Sequence, residues 1–317
     1  MENPKISVIM SVYNGGEFIR ETIESVLNQT YKNFEFLITD NASTDDTVEI
    51  IKSYRDSRIK LFVNEENKGY VWNLNQMIKI ARGEYIAKQD ADDISLPKRF
   101  ELQVKFLDAN QDIAVCGTYA RIFGHKKGRM RGELSDNKIR TGMLFENQMV
   151  NSSTMIKKSI LESENYFFDV SYLPTEDYKF WFEIQKKYKI ENIPYYLVKY
   201  RTHNNNYGSQ KKELQQKNIM RVQNEMFKYY FNSNQDIKEL FSIKKIQVYK
   251  NLLNAIKNNN SFDEKTASKY LTINSFKFIL KDSNITKMKK IKVLINEGFL
   301  NPLKVLFVCF YYARRHF

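Results

Sequence analysis

Apolar residues recur along the first hundred positions with two different periods. Four short apolar runs are typical of strands: KISVIMSVY, FEFLITD, IKLFV and GEYIAKQD. Between these runs, apolar residues three or four positions apart predict helices over about residues 17–29, 44–54 and 70–81. Strands that alternate with helices of this length predict βαβ units, and hence a mostly parallel sheet with flanking helices. The expected fold class is therefore α/β.

From about residue 98 the alternation loosens. The pattern then predicts a helix over KRFELQVKFLDAN, a strand over IAVCGTYARIF, a mobile basic loop over GHKKGRMRGE, a helix near 138–145, a strand near STMIKK, a helix within LPTEDYKFWFEIQKKY and a strand over IPYYLVKY. RTHNNNYGSQ is typical of a polar linker, and beyond it the chain is rich in Lys, Asn and aromatic residues with a mainly helical period. We therefore expect one domain over residues 1–208, with halves of about 1–95 and 96–208, and a mainly helical region over 209–317.

Composition favours a folded protein with one unusual charge feature. The chain is 42% hydrophobic and 14% aromatic, and its two cysteines, Cys116 and Cys309, exclude a disulfide framework or a cysteine-based zinc site. Residues 211–317 hold 21 Lys and Arg against 8 Asp and Glu, whereas residues 1–210 hold 29 of each. The whole net charge of +13 therefore belongs to the last third, which predicts an anionic partner or, alternatively, a set of solvated helix faces.

Polar residues follow each of the four predicted strands. They are Tyr13-Asn14-Gly15-Gly16, Asp40-Asn41-Ala42-Ser43, Asn64 with Asn67-Lys68-Gly69, and the cluster Asp90, Asp92 and Asp93. In open α/β sheets, ligands bind outside the carboxyl ends of the strands. Turn chemistry alone also favours Asn, Asp and Gly at such positions. The coincidence of all four along one sheet edge predicts a ligand site there.

Three carboxylates within four positions need a positive partner or surrounding water, because they repel one another. Asp90 and Asp92 follow a strand at alternate positions, so both can reach the sheet edge. Carboxylates in this arrangement suit Mg²⁺ or Mn²⁺ shared with substrate phosphates. Asp93 we interpret instead as a cap for the helix that Pro97 opens.

These segments resemble a known family. SVIMSVYNGGEFIRETIESVLNQTYKNFEFLITDNASTDDT, the NKG near residue 68, ARGEYIAKQDADD and TEDYKFWFEI together resemble the family-2 glycosyltransferases of bacterial surface-polysaccharide synthesis, over roughly residues 5–208. The resemblance implies a GT-A fold, a nucleotide-diphosphate sugar donor, expected to be a UDP-sugar, a divalent cation and transfer with inversion. It also implies a saccharide acceptor, expected to be lipid-linked.

The resemblance assigns the nucleotide-binding residues. Val12, Tyr13 and Asn14 would flank the base, and Asp40 would hydrogen-bond its edge. Asn41, Asn67, Lys68, Gly69 and Ala91 lie where the family contacts the nucleotide; Asp90 would meet the ribose or the metal shell, and Asp92 the metal. The structural alternatives are a sheet-edge aromatic for Tyr13 and an Asx-turn for Asp40.

The resemblance also assigns the chemistry. Asp177 would be the base that takes the proton from the acceptor hydroxyl, with Glu176 as its neighbour or as an acceptor contact. Thr175 is the expected N-cap of their helix, where acidic residues would also favour the helix dipole. His203, with Arg201, lies near a family segment that closes over the donor or metal, although the spacing is one residue shorter and a plain linker is the alternative.

Acceptor contacts are expected from Thr154, Trp181 and Arg201, with the protein core as the alternative for Trp181. NSSTMIKK departs from the family's His-Pro-Ser-like segment. The final apolar run, Val305 to Ala313, is too short to span a bilayer. Flanked by basic residues, it predicts peripheral contact with the cytoplasmic face of a membrane, or a final helix packed on the catalytic domain.

The function expected from the sequence is a metal-dependent inverting glycosyltransferase. Two rivals remain: a nucleotidyltransferase, and a nucleic-acid or anionic-lipid binding protein with a degenerate GT-A domain. A Rossmann dehydrogenase is disfavoured, because YNGGEF lacks the spaced glycines.

Overall fold

The computed structural model describes residues 3–204, 211–232, 255–256, 259 and 261–270. Within these residues, nine strands run in chain order as β1 Ile6–Val12, β2 Phe34–Asp40, β3 Ile59–Val63, β4 Tyr85–Lys88, β5 Ile94–Ser95, β6 Ile113–Gly124, β7 Gly128–Met130, β8 Met155–Lys157 and β9 Lys189–Thr202. The helices of the same part of the chain are α1 Ile19–Leu27, α2 Thr47–Ser53, α3 Tyr70–Ile80, α4 Arg99–Ala109, α5 Asp136–Met143, α6 Lys158–Glu164, α7 Glu176–Gln185 and α8 Lys212–Phe231. Single-turn 3-10 helices cover Asn151–Ser153 and Val170–Tyr172.

The described strands form one mixed sheet in the order β3-β2-β1-β4-β8-β6-β9-β5, with β7 paired to β6. The pairs β1–β2, β1–β4, β2–β3 and β6–β9 are parallel, and β8 joins the two halves with antiparallel ladders to β4 and β6. The predicted α/β fold class is confirmed. The four strands of the alternating pattern make its parallel half, and the looser second half supplies the antiparallel pairings.

Burial explains why the first strands read as continuous apolar runs. Every residue of β1 and β2 is buried, as expected for parallel strands covered on both faces by helices. One large apolar core contains both strands together with the inward side chains of α1 and α4. The sheet therefore holds the carboxyl ends of β1, β2, β3 and β4 at one edge.

The basic loop predicted over residues 124–133 is partly a hairpin. Residues Gly128–Met130 form β7, whose Arg129 pairs with Arg121 of β6. The prediction of a mobile loop was wrong for this segment because its backbone groups are paired across a two-strand ladder. Glycines and charges along the sequence do not reveal such a pairing.

The chain divides into two compact units. The first contains the residues up to Ile139 together with Asn147–Ile219, and the second contains Arg140–Glu146 and the described residues from Met220 onward. Within the second unit, Phe145 stacks on Tyr270 with ring centroids 5.5 Å apart, and Gln223 donates to the Phe145 carbonyl at 2.9 Å.

Two predictions about the C-terminal third stay predictions. The boundary expected at residue 208 and the apolar run Val305 to Ala313 both lie outside the described residues. In the part of the chain that the structure describes, no helix has the length and apolar character needed to cross a membrane.

Candidate active site

Loops after β1 and β2 are fastened to each other at the sheet edge. The Asn14 backbone N–H donates to Ser43 Oγ at 2.9 Å, and the Asn14 side-chain oxygen accepts from the Thr44 N–H at 2.8 Å. Asn14 has a φ of 50°, a left-handed conformation that asparagine tolerates. Tyr13, which directly precedes Asn14, leaves 51% of its surface exposed. Its ring is therefore available to a ligand at the end of β1, next to the buried Val12.

Asp40, at the end of β2, is fully buried but only partly satisfied. Its Oδ2 accepts from the Ser43 N–H at 3.0 Å, a local bond to the backbone three positions further on rather than the bond two positions on that defines an Asx-turn. Its Oδ1 has no hydrogen-bond partner among the described residues. A buried carboxylate oxygen without a donor costs free energy. This oxygen therefore fits an N–H that a ligand would bring.

Side-chain amides connect the second and third strand ends. Asn41 donates to Asn67 Oδ1 at 2.7 Å and accepts from the Lys68 N–H at 2.9 Å, while the Gly69 N–H donates to Asn67 Oδ1 at 3.0 Å. Gly69 has a φ of 89°, which a side chain at this position would strain. These amides hold the NKG segment beside Asp40. The Lys68 ammonium lies 3.2 Å from Glu66 and 5.6 Å from the Trp72 ring centroid.

The first carboxylate of the cluster, Asp90, already has a positive partner within the protein. The ammonium of Lys88, a side chain only 1% exposed, donates to Asp90 Oδ1, and the Tyr70 hydroxyl lies 3.4 Å from the same oxygen. Burial together with the charges of Asp90, Glu176 and Asp177 raises the pKa of Tyr70 well above its usual range, so the hydroxyl keeps its proton. Lys88 and Tyr70 are site residues that the sequence analysis missed.

The second carboxylate, Asp92, meets a histidine from the end of the first unit's last strand. Its Oδ2 lies 2.9 Å from His203 Nε2. Burial, and next the charge of Asp90, raise the pKa of Asp92, while His203 opposes this shift. The adjacent Ala91 carbonyl accepts from Thr22 Oγ1 at 2.9 Å, which fixes the turn to α1.

The third carboxylate, Asp93, has a structural role, but not the helix-capping role that was predicted. It is fully buried, accepts from the Arg201 backbone N–H at 2.8 Å and accepts from the Ser152 hydroxyl. Burial and the charges of its two neighbours raise its pKa well above the usual range. Interpreting Asp93 as a helix cap was wrong: α4 is preceded by Lys98 and has no side-chain cap bond. Asp93 instead connects β9 to the loop before β8.

Arg201 is held on several sides. Its Nε donates to the Asp92 carbonyl at 2.8 Å, its Nη2 donates to Glu21 Oε2 at 2.6 Å, and its guanidinium carbon lies 4.5 Å from the Phe18 ring centroid and 4.4 Å from that of Phe123. The start of RTHNNNYGSQ is therefore part of β9 and of the aspartate cluster, and the linker interpretation was wrong for residues 201–203. Asp92, Asp93, Arg201 and His203 come together as one group.

A second acidic pair opens α7. Asp177 Oδ2 accepts from Asn147 Nδ2 at 2.9 Å and its Oδ1 accepts from the Tyr178 N–H at 2.7 Å, while Glu176 is 7% exposed. Thr175 stands at the predicted N-cap position, but its hydroxyl donates to the Tyr172 carbonyl at 2.9 Å and makes no cap bond.

Electrostatics connect this pair with the strand β4 edge. Burial, helped by the negative charge of Asp90, raises the pKa of Asp177 to about 6 against the opposing effects of the Tyr178 N–H and the Lys88 charge. Burial, and then the negative charge of Asp177, raise the pKa of Glu176. The charges of Lys88 and Asp90 therefore act on both Glu176 and Asp177, although almost ninety positions separate the two segments.

Two of the expected acceptor contacts lie in the protein interior. Thr154 is fully buried and donates its hydroxyl to the Asn151 carbonyl at 2.8 Å. Trp181 is fully buried too, with its ring edge-on to Phe180 and Phe168 at centroid distances of 5.2 and 6.5 Å. The structure therefore places both with the core, as the alternative for Trp181 required.

The residues expected to hold a metal ion provide only part of a coordination shell. No group of three His, Cys, Asp or Glu side chains suited to a metal ion occurs among the described residues. Asp92 and His203 nevertheless bring one carboxylate and one imidazole within 2.9 Å of each other. Divalent cations in nucleotide enzymes commonly take few protein ligands and complete their shell with water and substrate phosphates. Asp92 and His203 suit a site of that kind.

Comparison with known proteins identifies the family. The family model described as Glycosyl transferase family 2 matches residues 7–163. An uncharacterized glycosyltransferase of Haemophilus influenzae is 34% identical over 264 residues, which are 78% of this chain and 82% of that protein. WfaP of Escherichia coli, a UDP-Glc:alpha-D-GlcNAc-diphosphoundecaprenol beta-1,3-glucosyltransferase, is 33% identical over 220 residues, 68% of this chain and 85% of that protein. The chain belongs to glycosyl transferase family 2.

Solved structures agree with this assignment at the level of the fold. Residues 1–349 of S. aureus TarS, in complex with UDP-GlcNAc, superpose with a TM-score of 0.59 at 16% identity, covering 93% of this chain and 92% of that chain. The mannosyltransferase PcManGT of Pyrobaculum calidifontis, in complex with GDP-Man and Mn2+, gives a TM-score of 0.55 at 15% identity. The superposition covers 96% of this chain and 84% of that chain. Both share the GT-A type of fold with this chain.

Proposed function

We propose that this glycosyltransferase moves a sugar from a UDP-sugar to a hydroxyl group of a lipid-linked saccharide acceptor, with inversion at the anomeric carbon. The observation that carries the proposal is the shared electrostatic environment of two acidic segments, since the charges of Lys88 and Asp90 act on both Glu176 and Asp177. A transfer site needs a donor-phosphate group and a proton acceptor close together. The acceptor class is supported by the likeness to WfaP, whose name gives a diphosphoundecaprenol-linked acceptor.

The nucleotide would lie across the ends of β1, β2 and β3. Asp40 Oδ1, which is buried without a donor, is the proposed acceptor for an N–H of the base, and the exposed Tyr13 ring is the proposed stacking surface. Uracil carries one such N–H on its pairing edge. The amides of Asn41 and Asn67 hold Lys68 and Gly69 against the same place. A UDP-sugar agrees with the donor bound to TarS.

Asp92 and His203 are the proposed protein ligands of a divalent cation, with Asp90 toward the ribose or the outer shell of the metal. The cation, Mn²⁺ or Mg²⁺, would stabilise negative charge on the departing diphosphate. Support comes from the 2.9 Å contact of the two side chains and from Mn2+ in the PcManGT complex. Arg201 holds the Asp92 carbonyl and so keeps the cluster in place.

Asp177 is the proposed general base. Its hydrogen bonds with Asn147 and the Tyr178 N–H orient the carboxylate, and a pKa near 6 leaves it ionised at neutral pH while keeping it a useful proton acceptor. The raised pKa of Glu176 favours its protonated form, which can donate a hydrogen bond to the acceptor saccharide. The acceptor oxygen then attacks the anomeric carbon directly as Asp177 takes the hydroxyl proton, the bond from that carbon to the diphosphate oxygen breaks and UDP leaves, without a covalent enzyme intermediate.

The proposed location is the cytoplasmic face of a membrane, where a lipid-linked acceptor and a soluble nucleotide sugar meet. Residues 209–317, including the apolar run at the end, are proposed to make peripheral contact there. The expectation rests on composition, because most of this region lies outside the described residues.

The test is a calorimetric panel of nucleotide sugars, measured with Mn²⁺ and with a chelator, followed by transfer to N-acetylglucosaminyl diphosphate esters of short alkyl chains. We expect one UDP-sugar to bind in a metal-dependent way and the product to have the anomeric configuration opposite to that of the donor by NMR. Retention of configuration would reject Asp177 as the base. Metal-independent binding of every nucleotide sugar would reject the metal site.

A further inference from the structure

The outer face of the sheet where β6, β7 and β9 meet carries a row of positive charges. Arg121 of β6 pairs in register with Arg129 of β7 on one side and with Lys199 of β9 on the other. Paired residues of neighbouring strands point to the same face of a sheet. All three side chains are exposed. With Arg131 and the hairpin residues Lys126 and Lys127, also exposed, they form what we call the basic hairpin surface.

Two tyrosines hold the arginines of this surface together. The guanidinium carbons of Arg121, Arg129 and Arg131 lie 5.4, 5.9 and 5.3 Å from the centre of the Tyr196 ring. Arg131 also donates to the Tyr196 hydroxyl and lies 5.9 Å from the Tyr119 ring centroid. The tyrosines offer packing and cation–π contact, but they carry no negative charge to neutralise the arginines.

Within the part of the chain that the structure describes, none of the six cations forms a salt bridge with a carboxylate. Like charges directly opposite each other on neighbouring strands destabilise a sheet. Folding therefore does not explain the row of Arg129, Arg121 and Lys199. An anionic partner would remove the repulsion, and its chemistry must suit several exposed cations spread over a sheet surface.

Position connects this surface with the candidate active site. Two residues after Arg121 in β6 and Lys199 in β9, the strands pair at Phe123 and Arg201. The side chains of this second pair point to the same face of the sheet as those of the first. Two residues of strand correspond to about 7 Å. The Arg201 guanidinium lies on Phe123 and donates to the carbonyl of Asp92. The basic hairpin surface thus continues, along the same two strands, from the group that holds Asp92.

We infer that the basic hairpin surface docks the enzyme on the anionic headgroups of a phospholipid bilayer. A bilayer is a broad, fluid anionic surface that needs no fixed geometry, and arginine, lysine and tyrosine side chains suit the headgroup region. The choice of a bilayer as the occupant rests on the proposed lipid-linked acceptor. Docking there would bring the Asp92 end of the site close to the headgroup layer in which the acceptor diphosphate lies.

The inference is tested by sedimentation of the full-length protein with vesicles of phosphatidylcholine, either pure or containing phosphatidylglycerol. The variant Arg121→Gln/Arg129→Gln removes two charges from the surface. The matched control, Arg55→Gln/Lys60→Gln, removes two exposed charges near α2 and the start of β3. Neither pair belongs to the proposed catalytic or donor-binding residues.

We expect binding to the anionic vesicles only, weakened by salt and weakened about fivefold for each cation removed, so about 25-fold in the double variant. The control should lose far less. Arg121→Lys/Arg129→Lys should bind as the wild type does, because a headgroup layer responds to charge rather than to guanidinium geometry.

The inference would be overturned by a wild type that does not bind anionic vesicles, by equal losses of binding in the double variant and the control, or by a lysine variant that binds as weakly as the glutamine variant. Tighter binding of a mixed-sequence RNA by the same residues would also overturn it, in favour of a nucleic acid. Transfer to a soluble short-chain acceptor is measured in parallel and should survive in the double variant, which shows that it folds. If every protein lacks transfer while vesicle binding still depends on Arg121 and Arg129, the proposed function fails and the docking surface stands.

Discussion

His203 Nε2 lies 2.9 Å from Asp92 Oδ2, although 111 positions separate the two residues in the chain. The contact joins the end of β9 to the turn after β4 and gives the site its only close carboxylate–imidazole pair among the described residues. If this pair holds the metal, replacing either side chain should weaken cation binding more than it lowers the stability of the fold.

Asp92→Asn and His203→Ala are therefore expected to weaken metal-dependent donor binding about 10- to 100-fold, the effect typical of disturbing a metal site. Calorimetry of the UDP-sugar at several Mn²⁺ concentrations measures the change. His125→Ala, which removes an exposed histidine, is the control. Unchanged Mn²⁺ dependence in both site variants would contradict the assignment.

Asp93→Ala should lower stability instead. The substitution leaves the part-buried Arg201 N–H and the buried Ser152 hydroxyl without their acceptor, and each lost partner costs about 1–3 kcal/mol. Urea unfolding should show a smaller free energy of unfolding with an unchanged slope. A variant as stable as the wild type would show that water replaces the carboxylate.

Asp40→Asn should separate binding from stability. The amide cannot accept as a carboxylate does from a base N–H, and we expect UDP affinity to fall about 10- to 100-fold, corresponding to one lost charge-assisted hydrogen bond. Stability should change little, because the amide oxygen can still accept from the Ser43 N–H while the NH2 group takes the place of the unpaired Oδ1. Calorimetry with UDP and thermal unfolding are the two measurements. Equal UDP affinity would mean that Oδ1 does not face the base.

The rate of transfer should decline at acid pH. Burial raises the pKa of Asp177 to about 6, and a base works only when it is deprotonated, so kcat should fall about tenfold per pH unit below that value. It should be level from there up to the pKa of Glu176, about 8, above which the proposed hydrogen-bond donor loses its proton. Positive charge from a bound cation would move the limb to lower pH. A flat profile down to pH 5 under metal-saturated conditions, followed by normal activity of Asp177→Asn, would exclude this base.

Asp177→Asn should itself lose about 10²- to 10⁴-fold in kcat, the usual contribution of a general base, with donor affinity kept. The control is Asp112→Asn, which makes the same chemical change at an exposed ion pair with Lys189.

Trp181 gives a test of core against acceptor contact. Because the ring is fully buried against Phe168 and Phe180, Trp181→Ala should cost about 3–5 kcal/mol of stability, and Trp181→Phe should keep the acceptor KM. Thermal unfolding and acceptor kinetics separate the two roles. A large rise in KM for Trp181→Phe with full stability would favour stacking on the acceptor sugar.

Periodicity predicted what is local. The alternation of apolar runs located β1 to β4 and α1 to α3, and the positions that follow the predicted strands included Asp40 and Asp92. The ends of those helices differ from the prediction by up to three residues, because pattern alone does not fix helix ends.

What pattern missed depends on contacts between distant segments. Asp93 looked like a helix cap because Pro97 follows it, yet its partners Ser152 and Arg201 lie 59 and 108 positions away. Lys88 carried one readable signal, a charged residue at the end of a strand expected to be buried. Tyr70 and Asn147 carried none, since each looks like any other residue at the start of a helix or in a loop.

The ion pair of Lys88 with Asp90 has a consequence for how the donor arrives. Because Lys88 is part of β4, neither dilution nor a chelator can remove its side chain from Asp90. Lys88 therefore offsets part of the electrostatic repulsion between the carboxylates of the site and a diphosphate that approaches without its metal. If the proposed metal site is correct, we therefore expect that donor and cation can bind in either order.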